Sequence, residues 1–251
     1  MKRLIINADD FGYYEGVVRG IVDLHQAGLV SSTSCMTNMP AWPQAADYLR
    51  EHPELGAGVH LVFNAGKPVL PKEEVPALIG NDGCFCDNRQ IFWSVRAGTT
   101  AQLRAELRAQ IERFIADVGR PPDHLDNHSG ISYVRPDRFR VTIELAKEYD
   151  LPIRFPFGDD LDERAGEMGR VWGYPTWAIR WLGLRYRHRV DRAGIRRPNT
   201  FLVDFSPRGP RTVDHLLSVL ETARDGWVSE FLTHPGYDGD WREAELHALQ
   251  D

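Results

Sequence analysis

Short strand-forming segments alternate with helix-forming segments along most of this 251-residue chain. Residues 3–8 have the apolar character of a buried strand, and the apolar residues between 17 and 24 recur at helical spacing. Strands at 31–37 and 56–61, with a helix over 43–52 between them, repeat this order. Strands separated by helices pair in parallel through right-handed crossovers. The pattern therefore predicts an α/β fold, a (β/α) barrel with fewer than eight regular units.

The rest of the chain continues the alternation, with two less regular regions. Helices are predicted over 100–118, 136–149 and 213–223, and strands over 123–128, 151–155, 200–203 and 227–232. Residues 64–98 lose all periodicity, which predicts a long loop that forms a rim or lid over a site. Residues 158–198, rich in Trp and Arg, are predicted to be an irregular insertion within one domain spanning 1–251.

The charge of the chain argues against two classes of partner. Lys and Arg total 30 against 36 Asp and Glu, a net charge of −6, whereas nucleic-acid and anionic-membrane binders need a basic surface. Seven arginines lie between Arg180 and Arg197, and we interpret them as a solvated helix face rather than a polyanion-binding stripe. We therefore expect no nucleic-acid and no membrane partner.

The cysteines and the N-terminus indicate the compartment. Three cysteines, with Cys84 and Cys86 one residue apart, make no even disulfide framework, which is typical of a reducing compartment. No apolar run reaches the roughly eighteen residues of a membrane span, and the first residues are too short in apolar length for a signal peptide. These features predict a cytoplasmic protein.

Polar side chains stand where four of the predicted strands end. They are Asp9 with Asp10, His60, the segment 124–128 that contains two histidines and an aspartate, and His234. In parallel α/β folds that edge of the sheet binds ligands, because the loops after the strands converge there. Asp and His from separate strands are what a single-metal site requires.

A hydrolytic metal site gives each residue type a role. Two imidazoles and one carboxylate hold a divalent ion with an open position, a second carboxylate can act as general base, and a further histidine can protonate the leaving group. Asp9 and Asp10 alternate on a strand, so one can face the metal and the other the water if the strand ends there. Each cluster alone has a plainer interpretation, such as a helix N-cap for the Asp pair or a core histidine for His60. All four at matched positions favour the metal site.

Other candidate motifs are weaker. Cys84 and Cys86 have no second cysteine pair to complete a metal site, and no Gly-rich nucleotide-binding loop or Gly-x-Ser-x-Gly elbow is present. Five remaining histidines fall in predicted helices or at their ends, and we interpret them as surface or packing residues: His25, His52, His188, His215 and His247.

Four motifs together resemble one known family, the YdjC-like carbohydrate deacetylases. The resemblance runs from residue 1 to about residue 240 and rests on Asn7-Ala8-Asp9-Asp10-Phe11-Gly12, Gly58-Val59-His60-Leu61, His124-Leu125-Asp126-Asn127-His128 and His234-Pro235. It implies a distorted (β/α) barrel related to the polysaccharide deacetylases. It also implies hydrolysis of the acetamido group of an N-acetylated sugar or oligosaccharide, which gives acetate and a free amine.

The resemblance also implies residue roles. Asp10, His60 and His128 would hold one divalent ion, Mg²⁺ or Zn²⁺. Asp9 would be the general base, and His234 the general acid that protonates the departing amine. Arg154 would orient the base.

Two departures from the family pattern limit what is carried over. The segment 128–132 lacks the histidine-rich run of some members, so chitobiose specificity is not transferred. Sixteen residues follow Pro235, where family members continue into another helix and strand, so the C-terminal end is expected to lack these elements.

Rival functions and further contacts stay open at this point. One rival is another metal-dependent amidohydrolase or a phosphoesterase on the same site, and the other is a carbohydrate-binding protein without catalysis. A homodimer is an open possibility. Aromatic residues that could stack on sugar rings are Trp93, Trp172, Trp177 and Tyr237.

Overall fold

The fold alternates strands and helices, as the sequence predicts. A computed structural model describes residues 1–87, 99–202, 210–237, 239 and 241–251. Its strands are β1 (Arg3–Phe11), β2 (Ser32–Cys35), β3 (Gly56–Leu61), β4 (Leu125–Asn127), β5 (Thr200–Leu202) and β6 (Val228–Thr233). Its helices are α1 (Glu15–Gln26), α2 (Trp42–Glu51), α3 (Thr99–Val118), α4 (Ile131–Val134), α5 (Pro136–Tyr149), α6 (Leu161–Trp172), α7 (Thr176–Arg192), α8 (Val213–Glu221) and α9 (Trp241–Gln250).

The strands form one parallel sheet in the order β4-β3-β2-β1-β6-β5. This confirms the expected α/β fold with fewer than eight regular units. The strand expected over 151–155 is reduced to a single bridge between Ile153 and Leu125 of β4. Pro152 explains the difference, because proline has no N–H to donate to a ladder.

The sheet is strongly curled. In a flat sheet β4 and β6 would lie about 19 Å apart, four steps of roughly 4.8 Å. One guanidinium, that of Arg154, nevertheless lies 2.9 Å from Asp126 on β4 and 2.6 Å from Glu230 on β6. The curl therefore encloses a narrow interior in which side chains from distant strands meet.

Helix α1 packs against β1, and helix α2 packs against α3. Helix α1 buries Val17, Val18, Ile21 and Leu24 on one side, as its apolar spacing predicts. Since each crossover returns the chain to the start of the next parallel strand, both helices end near the N-terminal edge of the sheet. No helix in the described ranges is long and apolar enough to cross a membrane.

The region 158–198 is not irregular, because it contains helices α6 and α7, which pack on each other. The buried residues of α7, which include Ile179, Leu182, Tyr186 and Val190, recur at helical spacing. Trp and Arg residues on the other face of α7 obscured this pattern in the sequence. Gly183 allows the close approach, since a Cβ atom there would lie 2.7 Å from Leu161.

The loop and the tail also differ in part from expectation. Residues 64–87 contain no helix or sheet strand, as predicted, whereas 88–98 lie outside the described residues. The Glu106 carboxylate of α3 anchors this loop by accepting the backbone N–H groups of Val69 and Leu70 at 2.9 and 3.0 Å. The expectation that no closing helix follows Pro235 is wrong, because α9 occupies most of the tail.

Candidate metal centre and active site

A β-bulge turns two successive carboxylates toward the same side. Strand β1 changes register against β2 between Ala8 and Phe11, and Asp10 has a φ of 71°. The left-handed region is unusual outside glycine, although Asp tolerates it better than most residues. As a result Asp9 and Asp10 both face His60, at 3.7 and 3.4 Å from its Nε2 atom. The strand continues to Phe11. The two carboxylates therefore point to the same side because of the bulge, and not because the strand ends at Asp9 and Asp10.

The three residues expected to hold a metal come together. Asp10, His60 and His128 each offer one ligand atom within 4.8 Å of the other two. The Oδ1 atom of Asp10 lies 3.2 Å from His128 Nδ1 and 3.4 Å from His60 Nε2. This oxygen is buried and accepts no well-formed hydrogen bond in the described chain. Burial would raise the pKa of Asp10, but the two imidazoles hold it well below its ordinary value.

Asp126 supports His60 from behind. Its Oδ1 atom lies 2.7 Å from His60 Nδ1, and its Oδ2 atom accepts the Ser34 hydroxyl at 2.6 Å. Burial alone would lower the pKa of His60, but Asp126 and the neighbouring carboxylates raise it to about 10. Ligating histidines are commonly oriented by such a carboxylate. Sequence analysis gave Asp126 no role, although its period-two spacing from His128 places both on one face of a strand.

Arg154 fixes the predicted base. Its two terminal nitrogens donate to the two oxygens of Asp9 at 2.7 Å each, and its Nε donates to Glu230 at 2.6 Å. Asn7 also donates to Asp9 at 2.8 Å. His234, the predicted acid, lies at the same carboxylate, with its Nε2 atom 4.0 Å from Asp9 Oδ2. The structure thus brings Asp9, Arg154 and His234 into one group beside the three candidate ligands.

Two further charged residues of the centre, besides Asp126, were not predicted from the sequence. Glu230 is an acidic residue within the otherwise mainly apolar strand β6, a signal that could have marked it. Arg242, in the first turn of the closing helix α9, donates to Asp10 Oδ2 at 2.6 Å. No local pattern could have shown this contact, because the partners lie 232 positions apart.

The group borders a cavity of about 330 Å³. Trp172, one of the aromatic residues expected to meet a sugar, lines this cavity together with Trp241, which was not expected. Trp177 is 72% exposed and does not line the cavity, and Tyr237 lies beneath the guanidinium of Arg19. Trp93 lies outside the described residues.

The charges of the centre fit a divalent cation. Among the described residues of the centre, the four carboxylates of Asp9, Asp10, Asp126 and Glu230 outnumber the two guanidiniums of Arg154 and Arg242 and the His60 imidazole, whose pKa they raise. A cation between Asp10, His60 and His128 would offset the excess and use the uncommitted Oδ1 atom of Asp10. The donor set suits zinc, whereas magnesium prefers oxygen ligands.

Known proteins resemble this chain over nearly its full length. Residues 3–251 match the family model described as YdjC-like protein. A carbohydrate deacetylase of Geobacillus stearothermophilus is 34% identical over 233 residues, which cover 93% of this chain and 79% of the relative. A carbohydrate deacetylase of Brevibacillus brevis is 32% identical over 235 residues, which cover 94% and 82%.

A solved structure shares the architecture as well. It is a protein of Enterococcus faecalis provisionally described as a cellobiose-phosphate cleavage protein. It matches with a TM-score of 0.80 at 28% identity, over 100% of this chain and 91% of that one. On the family match and these relatives, the chain belongs to the YdjC-like protein family.

Proposed function

We propose that this chain is a carbohydrate deacetylase that hydrolyses the acetamido group of an N-acetylated sugar or oligosaccharide. The observation that carries this proposal is the bulge in β1, which turns Asp9 and Asp10 together toward His60 at the edge of a cavity with Trp and Tyr walls. The carbohydrate deacetylases that resemble the chain support the same substrate class. The products are acetate and a free amine.

Asp10, His60 and His128 would hold one divalent ion. When bound, a Zn²⁺ or Mg²⁺ ion there would polarise the acetamido carbonyl and lower the pKa of a water molecule. Asp126 orients the His60 ring through Nδ1, and Arg242 holds the second oxygen of Asp10 so that Oδ1 faces the two imidazoles.

Asp9 and His234 move the protons. Asp9 accepts a proton from the water that attacks the carbonyl carbon, and the bidentate Arg154 contact keeps its carboxylate oriented. His234 donates a proton to the amide nitrogen as the carbon–nitrogen bond breaks, so the amine leaves neutral. Its imidazole packs edge-on against Trp241 with ring centroids 5.4 Å apart, which fixes its orientation.

A phosphoester is a second candidate substrate because of the description of the Enterococcus faecalis relative. A phosphate would need cationic groups free to receive it. Arg154 is committed to Asp9, Asp126 and Glu230, and Arg242 contacts Asp10. This arrangement favours a neutral acetamido group over a phosphate.

The proposal extends to the compartment and the assembly. We place the enzyme in the cytoplasm without a membrane or nucleic-acid partner, in keeping with free thiols at Cys35, Cys84 and Cys86. A homodimer is compatible with the proposed reaction, since all the proposed site residues come from one chain.

Acetate release tests the proposal. Purified protein is given N-acetylated mono- and oligosaccharides, and loss of an acetyl group is followed by mass spectrometry. We expect turnover that a chelator removes and that added Zn²⁺ or Mg²⁺ restores. Asp9→Asn should lower kcat by about 10²–10⁴-fold while the protein still binds the metal, because the three proposed ligands remain and the proposed base is lost. Unchanged turnover in Asp9→Asn would contradict the mechanism, and sugar binding without turnover would favour a binding protein.

A further inference from the structure

A second set of metal-ligating side chains lies where helices α1 and α2 end. His25, His52 and Glu54 each offer one ligand atom within 4.8 Å of the other two, and we call them the peripheral cluster. Both helices end near the N-terminal edge of the parallel sheet, whereas the candidate active site occupies the C-terminal edge. The peripheral cluster therefore has no part in deacetylation.

The backbone places the three side chains firmly. His25 stands in the last turn of α1, and His52 directly follows α2 with its N–H bonded to Tyr48 O at 2.9 Å. Leu55 N donates to His52 O at 3.2 Å, which closes a tight turn around Pro53 and Glu54. The short turn holds Glu54 beside His52, with 3.0 Å between the His52 Nδ1 and Glu54 Oε1 atoms.

Tyr48 orients both imidazoles. Its hydroxyl lies 2.7 Å from His25 Nδ1, and its ring stacks on His52 with centroids 4.1 Å apart. A hydrogen bond at Nδ1 leaves the Nε2 atom of His25 as the free ligand atom. Metal-binding histidines usually have such a partner on the nitrogen that does not ligate.

We propose that the peripheral cluster binds a transition-metal dication, Zn²⁺ in particular, with water completing the coordination. Two imidazoles and one carboxylate are a ligand set for such ions, and Mg²⁺ or Ca²⁺ would instead require more oxygen ligands. The ion would join the end of α1 to the turn after α2 and so stabilise the fold.

Zinc titration of a variant without the central site tests the proposal. In the His60→Gln/His128→Gln protein, stripped with a chelator, calorimetry should detect one equivalent of bound Zn²⁺, because His60 belongs to both candidate metal groups of the centre. Adding His25→Gln or Glu54→Gln should weaken this binding about tenfold or more. Zn²⁺ should also raise the melting temperature of the parent variant and not that of the His25→Gln derivative.

Two controls keep the outcome clear. His188→Gln changes an exposed histidine on α7 and should leave the affinity unchanged. Glu54 is 61% exposed, so Glu54→Gln tests the site even if His25→Gln fails to fold. Absence of Zn²⁺ binding in the parent variant, or binding that neither His25→Gln nor Glu54→Gln weakens, would overturn the proposal.

Discussion

The central and peripheral clusters contain the same ligand types in opposite surroundings. Both offer two imidazoles and one carboxylate within 4.8 Å. In the centre Asp10 and His60 are almost fully buried, and charged residues from β1, β4 and α9 contact the group. In the peripheral cluster the ligands come from helix ends, and one neutral hydroxyl, that of Tyr48, contacts His25.

This difference indicates what each cluster can do. The buried centre has more carboxylates than guanidiniums, which favours a bound cation, and Arg154 holds Asp9, the proposed base, in place before substrate binds. The half-exposed cluster offers ligands without such a base, so it can bind an ion but not use it for hydrolysis. Ligand chemistry alone therefore does not identify the active site, whereas the residues behind the ligands do.

The largest effect is expected when the guanidinium that the central carboxylates share, that of Arg154, is removed. Arg154→Met leaves Asp9, Asp126 and Glu230 buried without their common partner. We expect the free energy of unfolding of the metal-free protein to fall by about 3–5 kcal/mol, because an unpaired buried charge is costly. Urea unfolding followed by circular dichroism measures this change.

A matched control separates this effect from the loss of any arginine. Arg180 forms an ion pair with Asp162, in which the two side chains are 50% and 71% exposed. Arg180→Met should change the unfolding free energy by less than about 1 kcal/mol. Equal losses in the two variants would show that the central network stores no special electrostatic energy.

The two clusters should also respond to pH with opposite sign in the metal-free protein. The pKa of His60 is raised to about 10, so its contribution to stability is complete below its ordinary value of 6.5 and is lost as pH rises through about 10. The pKa of His25 is lowered, so stability is instead lost as pH falls below 6.5. NMR titration of the imidazole ring protons measures the pKa values of His60 and His25, with the signals assigned from the His60→Gln and His25→Gln variants. A His60 pKa near 6.5 would contradict the charge network.

The residues that contact the ligand histidines allow a further comparison of the two clusters. Asp126→Asn removes the charged partner of His60 and should weaken Zn²⁺ binding at the centre about 10–100-fold. Tyr48→Phe removes a neutral partner of His25 and should weaken the peripheral cluster by less than about tenfold. Calorimetric titration of each variant with Zn²⁺, with the ligands of the other cluster substituted, gives the change in dissociation constant at each cluster. A larger loss of Zn²⁺ affinity in Tyr48→Phe than in Asp126→Asn would contradict the prediction that the charged partner matters more.

The sequence predicted the central residues because each is a local signal. A polar side chain at the end of an apolar strand is visible within a few positions, and parallel topology then brings those ends together, as it does for His60 and His128. What could not be predicted depends on contacts between distant segments. Arg242 reaches Asp10 because α9 packs against α1 and α8. The bulge that redirects Asp10 depends on how β1 pairs with β2.

Other omissions came from the pattern rather than from distance. Asp126 was within reach of the period-two rule, because it stands two residues from both His124 and His128. The α6–α7 pair was missed because exposed Trp177 and Trp181 interrupt the apolar spacing of α7. Exposed aromatics break the assumption that apolar residues mark the buried face of a helix.

The smallest expected effect compares two tryptophans at different distances from the centre. Trp241 lines the central cavity beside His234, whereas Trp177 lies on the exposed face of α7. If a sugar ring stacks in the cavity, Trp241→Ala should raise KM between about two- and tenfold, the value of one aromatic contact. Trp177→Ala should leave both KM and kcat unchanged, because its ring does not line the cavity. A larger effect on KM of Trp177→Ala than of Trp241→Ala would indicate that the sugar binds on α7 and not in the central cavity.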